Sequence, residues 1–421
     1  MTAPARTFPT PEAQLEQLVR GTEEVLPEGA LLERLERCAR DQRPMRVKQG
    51  FDPTSPDIHL GHAVGLRKLR RFQELGHQIV VIVGDYTGMV GDPSGANRTR
   101  PRLNEAQIEA NARTYFEQFY RVLDPDPRPP ARPVEVRRNG EWFAKMAFMD
   151  VMKLASEYTV ARMLERDDFA KRHAARQPIS IHELFYPLMQ GYDSVAIRAD
   201  VEIGGTDQKF NLLVGRALQE VHGQPPQVIM TLPILAGLDG VQKMSKSLGN
   251  YVGVTDAPAD MFGKVMSIPD RLMPAYWRLA ADESPETLER ELGVASPAAE
   301  NPMLGKKRLA SRIVELYHGP EAALQAQRDF EAQFSRREAP EQLETFGRAD
   351  VERVAAGGMA PRIVEFVVAA GLAGSKGAAR RLVEQGAVSI DGERVESTTV
   401  APEAGAPFVL RVGRRMKRYR G

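Results

Sequence analysis

The chain has 421 residues, 42% apolar and 27% charged, the balance of a soluble globular protein long enough for two or three domains. Its formal net charge of +1 gives no overall attraction to nucleic acid, so any such contact has to be local. A single cysteine, Cys38, excludes a disulfide framework and a cysteine-rich zinc site. In chain order, residues 12–40 read as an amphipathic lead-in helix region, and Met45–Gln49 as a strand that breaks at Gly50. Ser55-Pro56-Asp57 has the makings of a helix start, with a hydroxyl cap, Pro at the first position and an acid in the first turn. That helix is expected to run to Gly76. Gln78–Gly84 is an unbroken β-branched run suited to a central parallel strand, so strand, helix and strand make a right-handed crossover and an α/β nucleotide fold.

Residues 103–123 and 141–176 read as helical, separated by a Pro-rich insertion at Asp124–Pro133. Val228–Pro233 reads as another sheet strand, and residues 257–346 as charged and helical. Ala355–Pro361 is the best linker candidate. Beyond it come an apolar helix at 362–372, a basic helix at 376–385 capped by Ser375, a stop at Gly386, a strand at 387–390 and a hairpin turn at Asp391-Gly392. Arg411–Gly421 carries six basic residues and no acid, which suits either a solvated tail or a nucleic-acid contact. The expected division is 1–240, 241–350, a linker at 351–360, and 361–421. Met1–Arg20 has no long apolar run, and no segment approaches the ~20 apolar residues of a membrane span. No signal peptide and no membrane contact are expected, and the cytoplasm is the expected compartment.

Two short sequences carry chemistry. His59-Leu60-Gly61-His62 puts two imidazoles three residues apart at a helix start, hence on one side. Such a pair suits a plain surface, a zinc ion lacking its other ligands, or phosphates at the positive end of the helix. Lys243-Met244-Ser245-Lys246-Ser247 puts two lysines in a Gly-flanked loop, either a solvated turn or a mobile clamp on polyphosphate. A third pattern, Tyr186, Gln190 and Asp193 at i, i+4 and i+7, shares one helix face and would also fit an ordinary half-polar helix.

The histidine and lysine motifs together, in this order, resemble the two signatures of class I aminoacyl-tRNA synthetases. The Tyr186, Gln190 and Asp193 helix resembles that of the tyrosyl-tRNA synthetases, as do Gly91-Asp92-Pro93-Ser94-Gly95 and Gly204-Gly205-Thr206-Asp207-Gln208. The resemblance implies a Rossmann-like parallel-sheet catalytic domain, an α-helical domain that binds the anticodon arm, and a small α+β S4-like RNA-binding domain. It implies activation of L-tyrosine by ATP with Mg2+, release of pyrophosphate, and transfer of tyrosine to the 3′ adenosine of tRNA(Tyr) by a homodimer. By the same resemblance His59, His62, Lys243 and Lys246 are catalytic, and Asp52, Thr54, Gly61, Asp207 and Ser247 join them around ATP. Thr87, Asp92, Tyr186, Gln190, Asp193 and Gln208 hold tyrosine, with Asp193 on the phenol. Lys376, Arg380, Arg381, Arg414 and Arg415 hold RNA. The basic stretch after Gly95 differs from the family, and Arg98 and Arg100 are expected to supply mobile-loop charge there. No protein-bound metal is implied. The chain departs from the best-known branch at Lys48, where that branch has a tyrosine contacting the substrate hydroxyl, and follows the second bacterial branch. The alternatives are a tryptophan-specific class I synthetase and a non-catalytic RNA-binding protein.

Overall fold

Six strands build the larger sheet: β1 (Glu24–Leu26), β2 (Arg46–Phe51), β3 (Gln78–Val83), β4 (Glu135–Arg138), β5 (Val201–Gly205) and β6 (Val228–Leu232), in the order β1-β6-β5-β2-β3-β4. β1 runs antiparallel to β6 and the other pairings are parallel. Read from β2, the parallel strands form a doubly wound sheet that grows outward in both directions. The structure, a computed structural model, describes residues 9–54, 56–92, 104–293, 301–332, 343–355, 361–402, 406–413 and 415–420. Val80 to Val83 are fully buried, as an all-apolar central strand requires, and the Leu60–Glu74 helix crosses from β2 to β3 with Leu66, Leu69 and Phe72 against the sheet.

That helix begins at Leu60, later than its Ser55-Pro56-Asp57 signal predicts. The backbone ahead of it is committed elsewhere: Ile58 N donates to Gln118 Oε1 at 2.6 Å and Ile58 O accepts from Val254 N at 2.9 Å. His59 therefore stays extended at the helix cap, paired with Gly253. Strand β2 continues through Gly50 to Phe51. β4 and β5 escape the sequence reading because they are short, and β4 follows the proline-rich stretch.

The Ile181–Ile197 helix packs along Lys209–Val221, where a Cβ on Gly191 would meet Gly215 N at 3.1 Å, so small residues set the close approach. The lead-in region resolves into Pro11–Val19, β1 and Ala30–Asp41. Past the lysine motif the chain is helical, including Pro258–Met266 and Pro302–His318.

The chain forms two compact units, Met1–Ala323 and Leu324–Gly421. The second holds a five-stranded sheet ordered β7 (Thr345–Phe346), β11 (Arg415–Tyr419), β10 (Phe408–Val412), β8 (Val388–Ile390), β9 (Glu393–Arg394). The arginine-rich end is thus a sheet strand and not a solvated tail: Phe408 pairs with Tyr419, and Tyr419 packs on Phe346 and Phe366. The Ser375 hydroxyl caps Lys376–Glu384 as expected, and Asp391 and Gly392, both at positive φ, turn β8 into β9. Most of the linker candidate, residues 356–360, lies outside the described residues.

Candidate active site

β2 and β5 are neighbours, yet the chain leaves them toward opposite edges of the sheet, so the loops at their carboxyl ends part and open a crevice. Asp52 and Thr54 follow β2; Thr206, Asp207 and Gln208 follow β5. The Asp52 carboxylate accepts from Thr87 Oγ1 at 2.7 Å and from the Tyr186 hydroxyl at 2.8 Å. Asn139 Nδ2 donates to Thr87 Oγ1 at 3.0 Å. Burial, reinforced by Asp52, pushes the Tyr186 phenol well above its ordinary value, so it remains a proton donor.

The three residues on the Ile181–Ile197 helix face the same side of the sheet. Asp193 is 3% exposed; Trp142 Nε1 donates to its Oδ1 at 3.0 Å and Asn139 Nδ2 approaches Oδ2 at 3.5 Å. Burial raises its carboxyl to about 7, against the opposing pull of the Lys48 ammonium and these two donors. Gln190 Oε1 accepts from Asn211 Nδ2 at 2.9 Å, which also reaches Gln208 Oε1 at 2.9 Å; Gln208 Nε2 then donates to Asp92 Oδ2 at 2.9 Å. Arg166 closes this ring, with Nη1 on Asn211 Oδ1 at 3.1 Å and its remaining nitrogens toward Asp92 at 3.6 Å and Asp168 at 2.8 Å.

The histidine and lysine motifs meet through backbone and packing. Leu60 N donates to Val252 O at 2.9 Å, and a Cβ on Gly61 would meet the His59 ring at 3.0 Å and lie in ordinary contact with Met244 Cβ at 3.6 Å, so the glycine leaves room for the imidazole beside the buried methionine of the lysine motif. Gly65, by contrast, accommodates the side chain of Gln49 from β2 and packs helix on strand. The imidazoles of His59 and His62 stack with centroids 3.8 Å apart. Burial, then nearby lysines, lowers His59 to about 3, and burial and His59 hold His62 well below its ordinary value. Both rings are neutral near pH 7, so they offer hydrogen bonds and the positive charge resides on the lysines. Lys243 Nζ sits 3.0 Å from Asp207 Oδ2. Lys246 lies 5.6 Å from the Tyr115 ring centre, and burial lowers its ammonium to about 8. Asn250 pins the loop, accepting from Ser245 N at 2.8 Å and donating to Lys243 O at 3.2 Å.

The structure thus brings Thr87, Tyr186 and Asp52 together, Asp92, Gln208 and Gln190 together, and the histidine and lysine motifs together. Arg98, Arg100, Pro93–Gly95 and the side chain of Ser247 lie outside the described residues, as does Arg414. In the second unit Lys376, Arg380 and Arg381 are exposed on one helix, Lys376 lies 3.2 Å from Glu365, and Arg415 donates to Leu372 O at 2.6 Å. Among the described residues no group of three or more His, Cys, Asp or Glu could hold a metal, and no helix is long and apolar enough to cross a membrane.

The chain matches the family of class I tRNA synthetases (W and Y) over residues 40–335 and the tyrosine–tRNA ligase SYY-like C-terminal domain over 332–410. It is 52% identical to a tyrosine–tRNA ligase of Moorella thermoacetica, across 96% of this chain and 94% of that one. With a tyrosine–tRNA ligase of Thermotoga maritima it shares 49% identity, across 98% of each. The chain belongs to the tyrosine–tRNA ligase family. In fold it resembles the tyrosyl-tRNA synthetase of Archaeoglobus fulgidus, solved with L-tyrosine, at a TM-score of 0.59 and 24% identity over 75% of this chain and 99% of that one.

Several residues around the family site carry no sequence signal of their own. Asn139 and Trp142 follow the overlooked β4, and Arg166 lies in an otherwise ordinary charged run. Asn211 sits three residues after Gln208 at the start of the next helix, the spacing that could have found it. Lys48 is turned inward: its Nζ lies 3.0 Å from Glu202 Oε1 and donates to Ser194 Oγ at 2.7 Å.

Proposed function

We infer that this tyrosine–tRNA ligase activates L-tyrosine with ATP and then esterifies tRNA(Tyr). The observation that carries the residue assignment is the convergence of Tyr186, Gln190 and Asp193 on the crevice where the doubly wound sheet reverses. Asp193, already oriented by Trp142 and Asn139, accepts the substrate phenol. The ring of Gln190, Gln208 and Asp92 receives the ammonium, and Tyr186 and Thr87 line the approach through Asp52. ATP, carried with Mg2+, lies along Asp52, Thr54, Gly61 and the two histidines, its ribose on Asp207 and its phosphates toward Lys243, Lys246 and Ser247.

The tyrosine carboxylate attacks the α-phosphorus, the bond to pyrophosphate breaks, and tyrosyl-adenylate remains. A hydroxyl of the terminal tRNA adenosine then attacks the adenylate carbonyl and AMP leaves. No protein nucleophile takes part, so the rate comes from positioning and from charge aimed at the transferring phosphorus. ATP has to displace Lys243 from Asp207 to use both residues, which links loop closure to nucleotide binding.

A homodimer in the cytoplasm is the working assembly. Phe148, Met149, Met152, Val160 and Ile181 are large apolar side chains 46–76% exposed near the start of the substrate helix, and support a subunit contact there. The finer division keeps 1–240 as the catalytic domain, 241–350 as loop and helical domain, 351–360 as linker and 361–421 as S4-like module, the last with Lys376, Arg380, Arg381, Arg414 and Arg415 toward RNA. The hydrogen bonds of Thr345–Phe346 to β11 support adding that strand to the module. ATP–pyrophosphate exchange, with tyrosine, phenylalanine and tryptophan offered separately, tests the reading. Exchange with tyrosine alone is expected; exchange with tryptophan would overturn the substrate, and none with any of the three would overturn the activity.

A further inference from the structure

Lys48 is fully buried, and its ammonium meets three acceptors: Glu202 Oε1 at 3.0 Å, Ser194 Oγ at 2.7 Å and the main-chain oxygen of Gln190 at 3.0 Å. An ammonium has three protons, so none is left for a ligand. Glu202 lies beside Lys48 in register across β2 and β5. Its carboxylate also takes Gln190 Nε2 at 3.3 Å, Ser194 Oγ at 3.0 Å and Gln227 Nε2 at 2.5 Å. A buried ion pair is no better for stability than apolar residues of the same size, so its presence under a site calls for another reason.

The pair grips the substrate helix at Gln190 and Ser194, on either side of Asp193 along the chain. The ionisable groups around Asp193 are Tyr186 and, through it, Asp52 from one side, and Lys48 and Glu202 from the sheet. Lys48 is the cation among these. Trp142 and Asn139 are neutral donors.

We propose that Lys48, steadied by Glu202, is a positioning residue that fixes the substrate helix and supplies the positive charge facing Asp193, so that selection of a phenol over a phenyl ring is set one layer beneath the substrate. The proposal rests on the tyrosine-activation reading. With Lys48 present, Asp193 meets the substrate as a carboxylate above about pH 7. A ring without a hydroxyl then leaves a buried charge unpaired, which is a strong rejection. Without the ammonium, Asp193 takes up a proton more readily and a phenyl ring faces only a neutral acid. Rejection weakens, and tyrosine use acquires a higher acid limb.

The test is pyrophosphate exchange with tyrosine and with phenylalanine as a function of pH, in the full chain and three variants. Lys48→Met removes the charge; Lys48→Met with Glu202→Gln does so without stranding a carboxylate. Glu202→Gln alone keeps the lysine and removes its counter-charge. We expect the acid limb of kcat/KM for tyrosine to rise by about one pH unit in Lys48→Met and by less in the double variant, where the loss of the Glu202 charge offsets part of it, with the tyrosine-to-phenylalanine ratio falling about tenfold in Lys48→Met and KM for ATP unchanged. In Glu202→Gln the limb moves down, a reversal that a merely structural role does not produce. Equal losses with both amino acids, or a limb unmoved in the folded variants, would overturn the proposal. A wild-type chain without tyrosine-dependent exchange would instead overturn the reading on which it rests.

Discussion

Asp193 carries its charge against its surroundings. Free aspartate ionises near 3.8, and burial moves this carboxyl to about 7. Between those values the folded chain holds a proton that the unfolded chain has released, so this group's contribution to stability falls as pH rises from about 4 to about 7, then stays low. Asp193→Asn removes the ionisable group while keeping the shape. We expect thermal unfolding at about pH 8 to show a gain on the order of 1–3 kcal/mol over the wild type, shrinking toward nothing near pH 4. Tyrosine-dependent exchange should be abolished in the same variant. Unchanged exchange would remove Asp193 from the substrate site, and equal stability at both pH values would remove the burial argument. The Tyr186, Gln190 and Asp193 spacing was legible in the sequence because a helix puts i, i+4 and i+7 on one face. The Lys48–Glu202 pair was not, since it joins residues 154 positions apart through strand register, and β5 is a five-residue strand without a sequence signal of its own.

At the scale of elements, the structure turns on how two loops meet. The histidine motif was legible as a helix start, but its cap was misplaced by about four residues, because Ile58 and His59 give their backbone groups to Gln118 and to the segment after the lysine motif. No local propensity encodes that long-range pairing. The result buries the His59 imidazole, stacks the His62 ring against it, keeps both neutral and leaves two ammonium groups as the charge. Lys246, lowered to about 8 by burial and only partly restored by Asp57, is protonated below that pH and loses its charge above it. The kcat/KM for ATP is therefore expected to fall as pH rises through about 8, while tyrosine affinity measured without ATP holds level. Lys246→Arg, which stays charged, should carry the rate to higher pH; a profile in that variant identical to the wild type would place the titrating group elsewhere.

At the scale of the whole molecule, the chain forms two units, the second with a core of its own, with chemistry proposed for the first and RNA binding for the second. The basic helix at 376–384 and its cap were legible because Ser375 and Gly386 bracket it. The strand β11 was not, because a dense run of basic residues from Arg414 to Arg420 reads as a tail until Phe408, Phe366 and Phe346 are seen packed on Tyr419. Phe346 belongs to that core, so a cut at residue 361 would strip one strand from the second unit and leave its aromatic partner exposed. A chain ending at residue 332 avoids this. It should keep tyrosine-dependent exchange within about twofold of the full chain while tRNA charging falls by at least about tenfold, since phosphate contacts supply much of RNA affinity. Arg380→Ala with Arg381→Ala in the full chain should reproduce part of that loss and flatten the salt dependence of tRNA binding by up to about two contacts, with exchange untouched. Charging at full rate by the shortened chain would move the RNA contact onto the first unit, and a salt slope unmoved by the double variant would take it off this helix.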